Sequence, residues 1–230
     1  METKLIEDSL FLGNRKKLIS EIGNRGIADL AILELFDKVP RHRFIPEGSK
    51  ARSYEDNPLP IGYGQTASQP SLQALYISIL QPKINETILE IGTGCGFMTA
   101  LLSYRADRVY SIERIRELSK RARKELDCLD INNVALMVGD GTIGWRKYAP
   151  FDVIIVSAAA PSIPPALENQ LAENGRMLIP VGDRARQELV LVTKRDGKTS
   201  EETAHPSCTF VPLIGEFGWS PTSSYSGEGK

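Results

Sequence analysis

Thr87-Ile88-Leu89-Glu90-Ile91-Gly92-Thr93-Gly94-Cys95-Gly96-Phe97 is the stretch on which the fold turns. Thr87 to Ile91 reads as a buried strand, three glycines at alternate positions end it, and a helical pattern from Phe97 to Tyr104 follows. Glycines between a strand and a helix let the backbone bend tightly and let a ligand come closer than a Cβ would allow. Downstream, Arg108–Ile112, Val134–Val138, Phe151–Val156 and Arg176–Val181 read as further buried strands, and Glu188–Lys194 as an alternating one. A charged helix runs between them from Ile115 to Leu126. Short apolar strands separated by helical segments imply parallel pairing through right-handed crossovers. The last strands lie close enough in sequence for antiparallel hairpins. The expected class is α/β: a mostly parallel, doubly wound, Rossmann-like sheet.

Upstream of this core the pattern changes. Leu5 to Val39 reads as two helical segments divided by Gly23-Asn24-Arg25-Gly26 and stopped by Pro40. From Arg41 to Pro70, four prolines and three glycines interrupt any period. A loop of that length inside a compact domain is most often functional. Pro70 suits the first turn of a helix reaching Leu80. The expected organisation is an N-terminal helical extension with a substrate loop (1–82), an α/β core (83–196), a C-terminal strand with a substrate-site segment (197–219), and a disordered tail (220–230).

With 28 Lys+Arg against 29 Asp+Glu, the chain has no general pull toward nucleic acid or anionic lipid. Three cysteines (Cys95, Cys128, Cys208) share no metal-type spacing and fit a reducing cytoplasm. No stretch approaches the ~18 apolar residues of a membrane span. A cytoplasmic protein with no nucleic-acid, membrane or metal partner is expected.

A dinucleotide site asks for Gly-x-Gly-x-x-Gly, with pyrophosphate at the helix N-terminus. Here the third glycine comes one residue early and Phe97 takes the dinucleotide position. An acidic residue heading Gly-x-Gly-x-Gly resembles the first motif of class I methyltransferases, whose S-adenosylmethionine has no phosphates. Glu113 closes the second strand where a carboxylate can accept hydrogen bonds from ribose hydroxyls. Gly139-Asp140-Gly141 closes the third and can set a carboxylate beside an adenine amine. Glu90 has two readings, either binding the cationic end of the methionine moiety or organising the glycine turn through hydrogen bonds. Cys95 reads as a packing residue, since no base lies near it in sequence.

The methyl acceptor is indicated by Val39-Pro40-Arg41-His42-Arg43-Phe44-Ile45-Pro46, by Tyr54 to Pro70, and by Val138-Gly139-Asp140-Gly141 with Gly144-Trp145. Ala149-Pro150-Phe151-Asp152, Ile179-Pro180-Val181-Gly182 and Phe210 to Gly215 with Gly218-Trp219 complete a collinear set. Together they resemble the protein-L-isoaspartate O-methyltransferase family from about residue 15 to 219. The resemblance implies S-adenosylmethionine as cofactor and isoaspartyl-containing proteins and peptides as partners. It implies cofactor contacts from Gln65, Thr66, Glu90, Gly92, Thr93, Gly94, Gly96, Glu113, Arg114, Asp140 and Gly141. Ile61, Gly62, Ser68, Val211, Pro212 and Leu213 would hold the substrate, with Ser68 catalytic through its hydroxyl. On its residues alone, Ser68 serves equally as a cap for the helix after Pro70. Tyr54, Glu55 and Asp56 either gate the loop or stabilise it. Ala67, Cys95 and Phe97 depart from the residues common in the family, which leaves substrate fine-tuning open.

Four other readings fit the sequence less well. The alternative is an S-adenosylmethionine-dependent methyltransferase acting on a small molecule or nucleic acid; nucleic-acid amino-methyltransferases resemble one another in an Asp/Asn-Pro-Pro-aromatic motif, where this chain has Ser157-Ala158-Ala159-Ala160-Pro161. A non-catalytic module would be expected to have lost Glu113, Asp140 or the glycines, and Phe97 disfavours a nicotinamide dehydrogenase. A serine hydrolase built on Ser68 lacks the Gly-x-Ser-x-Gly elbow.

Overall fold

A computed structural model describes residues 2–27 and 29–221. Helices α1 (Glu2–Asn24), α2 (Leu30–Lys38) and α3 (Pro70–Leu80) precede the core. Between α2 and α3 lie two 3₁₀ turns and a small antiparallel hairpin, β1 (Leu59–Gly62) with β2 (Gln65–Ala67). The core runs β3 (Thr87–Ile91), α4 (Phe97–Ser103), β4 (Arg108–Glu113), α5 (Arg116–Cys128), β5 (Val134–Val138) and β6 (Phe151–Val156). It continues through the short α6 (Pro165–Asn169), β7 (Leu171–Gly182), β8 (Gln187–Arg195) and β9 (Lys198–Cys208).

Seven strands form one sheet in the order β5-β4-β3-β6-β7-β8-β9. Pairs from β5 through to β7 are parallel, whereas β7–β8 and β8–β9 are antiparallel. The final strands therefore follow chain order as a meander, an arrangement that periodicity left open. The boundary expected at residue 196 falls in the turn of the β8–β9 hairpin, so β9 belongs to the core sheet. The expectation of a disordered tail after Trp219 lies outside the described residues, except for Ser220 and Pro221.

The central strands are apolar throughout because both faces are covered. Ile88, Val109, Val153, Ile155 and Leu178 point into a core shared with α1 to α4. Leu89, Ile91, Ile112, Ile154, Val156, Met177 and Ile179 point into the opposite core with Leu167 of α6. On α5, Leu118, Ala122 and Leu126 recur every four residues as the buried stripe. A third, smaller cluster packs Ile45, Leu59, Ile61 and Ala67 on Leu118, which fixes the hairpin to α5. No described helix is long and apolar enough to cross a membrane.

Strand order reverses at β3, whose neighbours β4 and β6 are reached in opposite directions. Open α/β sheets bind ligands in the crevice at the carboxyl ends of the strands flanking such a point.

Candidate active site

A cleft of about 230 Å³ lies at this reversal. Its floor is the sheet edge: Ile91 and Gly92 after β3, Glu113 to Ile115 after β4, Gly141 after β5, and Ser157 and Ala158 after β6. The hairpin and the segment leading into α3 (Ile61 and Gly64 to Ser68) form one wall. Residues 211–214 form another.

The glycine turn has the geometry its sequence requires. Gly92, Gly94 and Gly96 all have positive φ (94°, 55° and 90°), and a Cβ on Gly96 would come within 2.8 Å of the Ala122 Cβ. Gly92 donates its N–H to the Ile112 carbonyl at 2.8 Å. Glu113 holds the far side, Oε2 accepting from Gly94 N and Oε1 from Ile115 N, each at 2.8 Å. Burial pushes the Glu113 carboxyl up from its ordinary value, outweighing those two amides and nearby Arg114. A carboxylate offers about four acceptor directions. Two are used within the chain, which leaves capacity for the hydroxyls of a ligand.

Glu90 is fully buried and absent from the cleft wall. Its Oε2 accepts from Thr99 Oγ1 and Ser111 Oγ, both at 2.6 Å, and Ser111 shares a 2.5 Å bond with Thr93. Desolvation pushes its carboxyl to about 7. The cofactor contact expected of Glu90 is therefore corrected: it braces the turn from behind, because the β3–β4 register sets it beside Ser111. Gly96 is likewise buried behind the turn and supports it without lining the cleft.

Asp140 is engaged within the chain. Its Oδ1 accepts from Thr142 N and Oγ1, its Oδ2 accepts from Glu216 N, and it does not line the cleft, whereas Gly141 does. Gly62 stands exposed outside the lining, near the Arg121 guanidinium. The other expected residues meet at the cleft: Ile61, Gln65, Thr66, Ser68, Gly92, Thr93, Gly94, Glu113, Arg114, Gly141, Val211, Pro212 and Leu213.

Ser68 is half-buried and does not cap α3. The cap residue is Gln69, without a side-chain bond, and the Ser71 amide is met by Asp56 Oδ1 at 2.8 Å. Tyr54 is buried against His42, sharing a 2.8 Å bond with its Nδ1. Asp56 and Tyr54 thus stabilise the segment. Neither His42 nor His205 lines the cleft. Cys95 lines it as packing, and desolvation pushes its thiol up.

The 211–214 wall is tied to the sheet by Ala159, whose N–H donates to Val211 O while its carbonyl accepts from Leu213 N and Trp219 Nε1. Sequence reading missed Gln73, Met98, Leu118 and Ser157 as lining residues. Met98, Leu118 and Gln73 are buried helix positions, and a helix period does not distinguish a core from a cleft wall. Among the described residues no group of three or more potential ligands could hold a metal.

Residues 13–218 match the family model "Protein-L-isoaspartate(D-aspartate) O-methyltransferase (PCMT)". A protein-L-isoaspartate O-methyltransferase of Trichlorobacter lovleyi is 49% identical over 207 residues, 89% of this chain and 95% of that protein. A solved protein-L-isoaspartate O-methyltransferase superposes with a TM-score of 0.81 at 30% identity, covering 89% of this chain and 67% of the other. A putative one from Plasmodium falciparum, in complex with S-adenosyl-L-homocysteine, gives 0.78 at 26% identity, over 87% and 98%. The strand order, the glycine turn and the match over nearly the whole chain agree: this chain belongs to the protein-L-isoaspartate(D-aspartate) O-methyltransferase family.

Proposed function

We propose that the protein transfers a methyl group from S-adenosylmethionine to the free α-carboxylate of L-isoaspartyl residues in damaged proteins and peptides. The observation that carries this reading is the convergence of the glycine turn, Glu113 and Ser68 on one cleft between the sheet edge and the hairpin wall.

Bound S-adenosylmethionine supplies a methyl group on a positively charged sulfur. Backbone at Gly92 to Gly94 gives close approach to it, and the spare acceptor capacity of Glu113 suits its ribose. Ile91, Ile112, Ile115 and Leu118 give an apolar surface for a nucleoside. The acceptor carboxylate has an ordinary pKa of ~4 and is ionised at neutral pH. No general base is needed, consistent with a cleft that no histidine lines. The chain contributes alignment and removal of water. Ser68 donates its hydroxyl proton in a hydrogen bond that orients the attacking carboxylate. The extended 211–213 segment and Ile61 hold backbone on either side, a mode that tolerates many peptide sequences. Proteins carrying isoaspartyl linkages are the partners, and the cytoplasm is the compartment that fits the free Cys95 and Cys128.

A radiolabelled-methyl assay with an isoaspartyl peptide, its aspartyl twin and RNA tests the reading. Label is expected on the first alone; equal labelling of both peptides would remove the assignment of acceptor.

A further inference from the structure

One polar side chain on the acceptor side of the cleft has no part in the reading above. Gln73 lies one turn into α3, is buried, and lines the cleft together with Ser68. Its Oε1 accepts from Arg41 Nη1 at 3.0 Å. A guanidinium has donors only, so the amide oxygen must face Arg41 and Nε2 must face away. Nε2 has no hydrogen-bond partner among the described residues, and it is not one of the side-chain atoms sealed from solvent. Because Gln73 lines the cleft, this is the end of its side chain left free to donate there.

Arg41 fixes more than this one amide. It is 1% exposed, donates from Nη2 to the Ser68 carbonyl at 3.0 Å and from Nε to the Ser53 carbonyl at 2.8 Å, and sits 5.0 Å over the Phe97 ring. Burial lowers its pKa to about 10, which still leaves it charged at neutral pH. One planar fork thus sets Ser68 and Gln73 relative to each other and to the helix after the glycine turn.

We propose that Gln73 is a second donor to the acceptor carboxylate, beside Ser68, and that Arg41 is the positioning residue that holds both in register. The inference rests on the acceptor reading above. An ionised carboxylate can take several hydrogen bonds, and bonds to a charged acceptor are the strong ones. A hydroxyl and a primary amide lining the same cleft suit that group.

The test compares Gln73→Glu and Gln73→Leu, with isoaspartyl-peptide kinetics, calorimetry of S-adenosylmethionine binding and thermal unfolding. Leu removes the donor, and kcat/KM is expected to fall roughly 10-fold. Glu is isosteric but turns a carboxylate toward the acceptor, and a fall of roughly 100-fold is expected. Donor Kd should stay within about twofold in both, and the Tm of Q73E should not fall, because the new carboxylate meets the Arg41 cation. A packing role predicts the reverse order, with Glu harmless. Arg41→Lys, which keeps the charge without the fork, should lower kcat/KM at unchanged donor Kd; if it does not fold, the Gln73 pair decides. Folded Q73E with kcat/KM within about threefold of wild type would overturn the proposal, as would donor affinity falling in step with kcat/KM. Wild-type protein that methylates neither peptide removes the acceptor reading, and the Gln73 assignment falls with it. Wild-type activity with an indifferent Q73E removes the Gln73 assignment alone.

Discussion

Asp140 Oδ2 accepts a hydrogen bond from the Glu216 amide at 2.7 Å, joining positions 76 residues apart. Gly215 permits this approach, since a Cβ there would collide with the Asp140 carboxylate. The same carboxylate caps the 3₁₀ turn at Gly141–Ile143 through the Thr142 amide, and Thr142 Oγ1 accepts from Phe217 N at 3.1 Å. Asp140→Ala is expected to destabilise the protein by about 1–2 kcal/mol, the cost of a lost cap and a lost charged acceptor. Hydrogen exchange at residues 214–219 should accelerate selectively. Unchanged protection there would show that Asp140 does not hold the segment.

Ser68→Ala is expected to lower turnover on an isoaspartyl peptide by roughly 10- to 100-fold, since it deletes a bond to a charged acceptor. Affinity for S-adenosylmethionine should change little, and so should stability, because Asp56 and not Ser68 accepts from the first-turn Ser71 amide of α3. Matched losses in turnover and in calorimetric donor affinity would contradict the assignment.

Glu113→Ala should act on the floor of the cleft. It removes the acceptor for the Gly94 and Ile115 amides as well as the proposed ribose acceptor. Donor Kd is expected to rise by roughly 10-fold or more, with peptide KM moving less. Calorimetry that finds unaltered donor affinity would end this role for Glu113.

Glu90 predicts a pH dependence of stability. Burial raises its carboxyl from 4.5 to about 7, with Thr99 and Ser111 partly opposing the rise and the Glu113 charge adding to it. Between these pH values the unfolded chain releases a proton that the folded chain keeps. This contribution is therefore full below about 4.5 and is lost as pH rises through about 7. The magnitude is on the order of 3 kcal/mol. Glu90→Gln removes the titration, so its stability relative to wild type should improve between pH 5 and pH 8 in urea unfolding. A pH-independent difference between the two proteins would exclude Glu90 as the source.

The core was legible in the sequence because its strands are buried on both faces and so stand out as apolar runs. The glycine turn was legible because the φ angles near 90° at Gly92 and Gly96 favour glycine. Hairpin β1–β2 was not, since Pro58, Pro60, Gly62 and Gly64 conceal two strands of four and three residues. A turn-organising role was one of the two readings of Glu90, but its partners Thr99 and Ser111, and the tie of Asp140 to Glu216, are contacts that sequence spacing does not reveal. In the sequence Arg41 is one residue of a motif; its burial and its grip on Ser53, Ser68 and Gln73 arise only where those segments meet in space.

Because β7, β8 and β9 follow one another across the sheet, the chain leaves β9 at the edge farthest from β5 and must travel back to reach Ala159 and Asp140. During synthesis, a nascent chain that has emerged only to β9 already possesses every strand and the entire glycine turn. It still lacks one jaw of the cleft. On the function proposed above, competence for peptide capture would arrive with the last dozen or so described residues, and translation that stalled at β9 would yield a sheet without the wall that faces the hairpin.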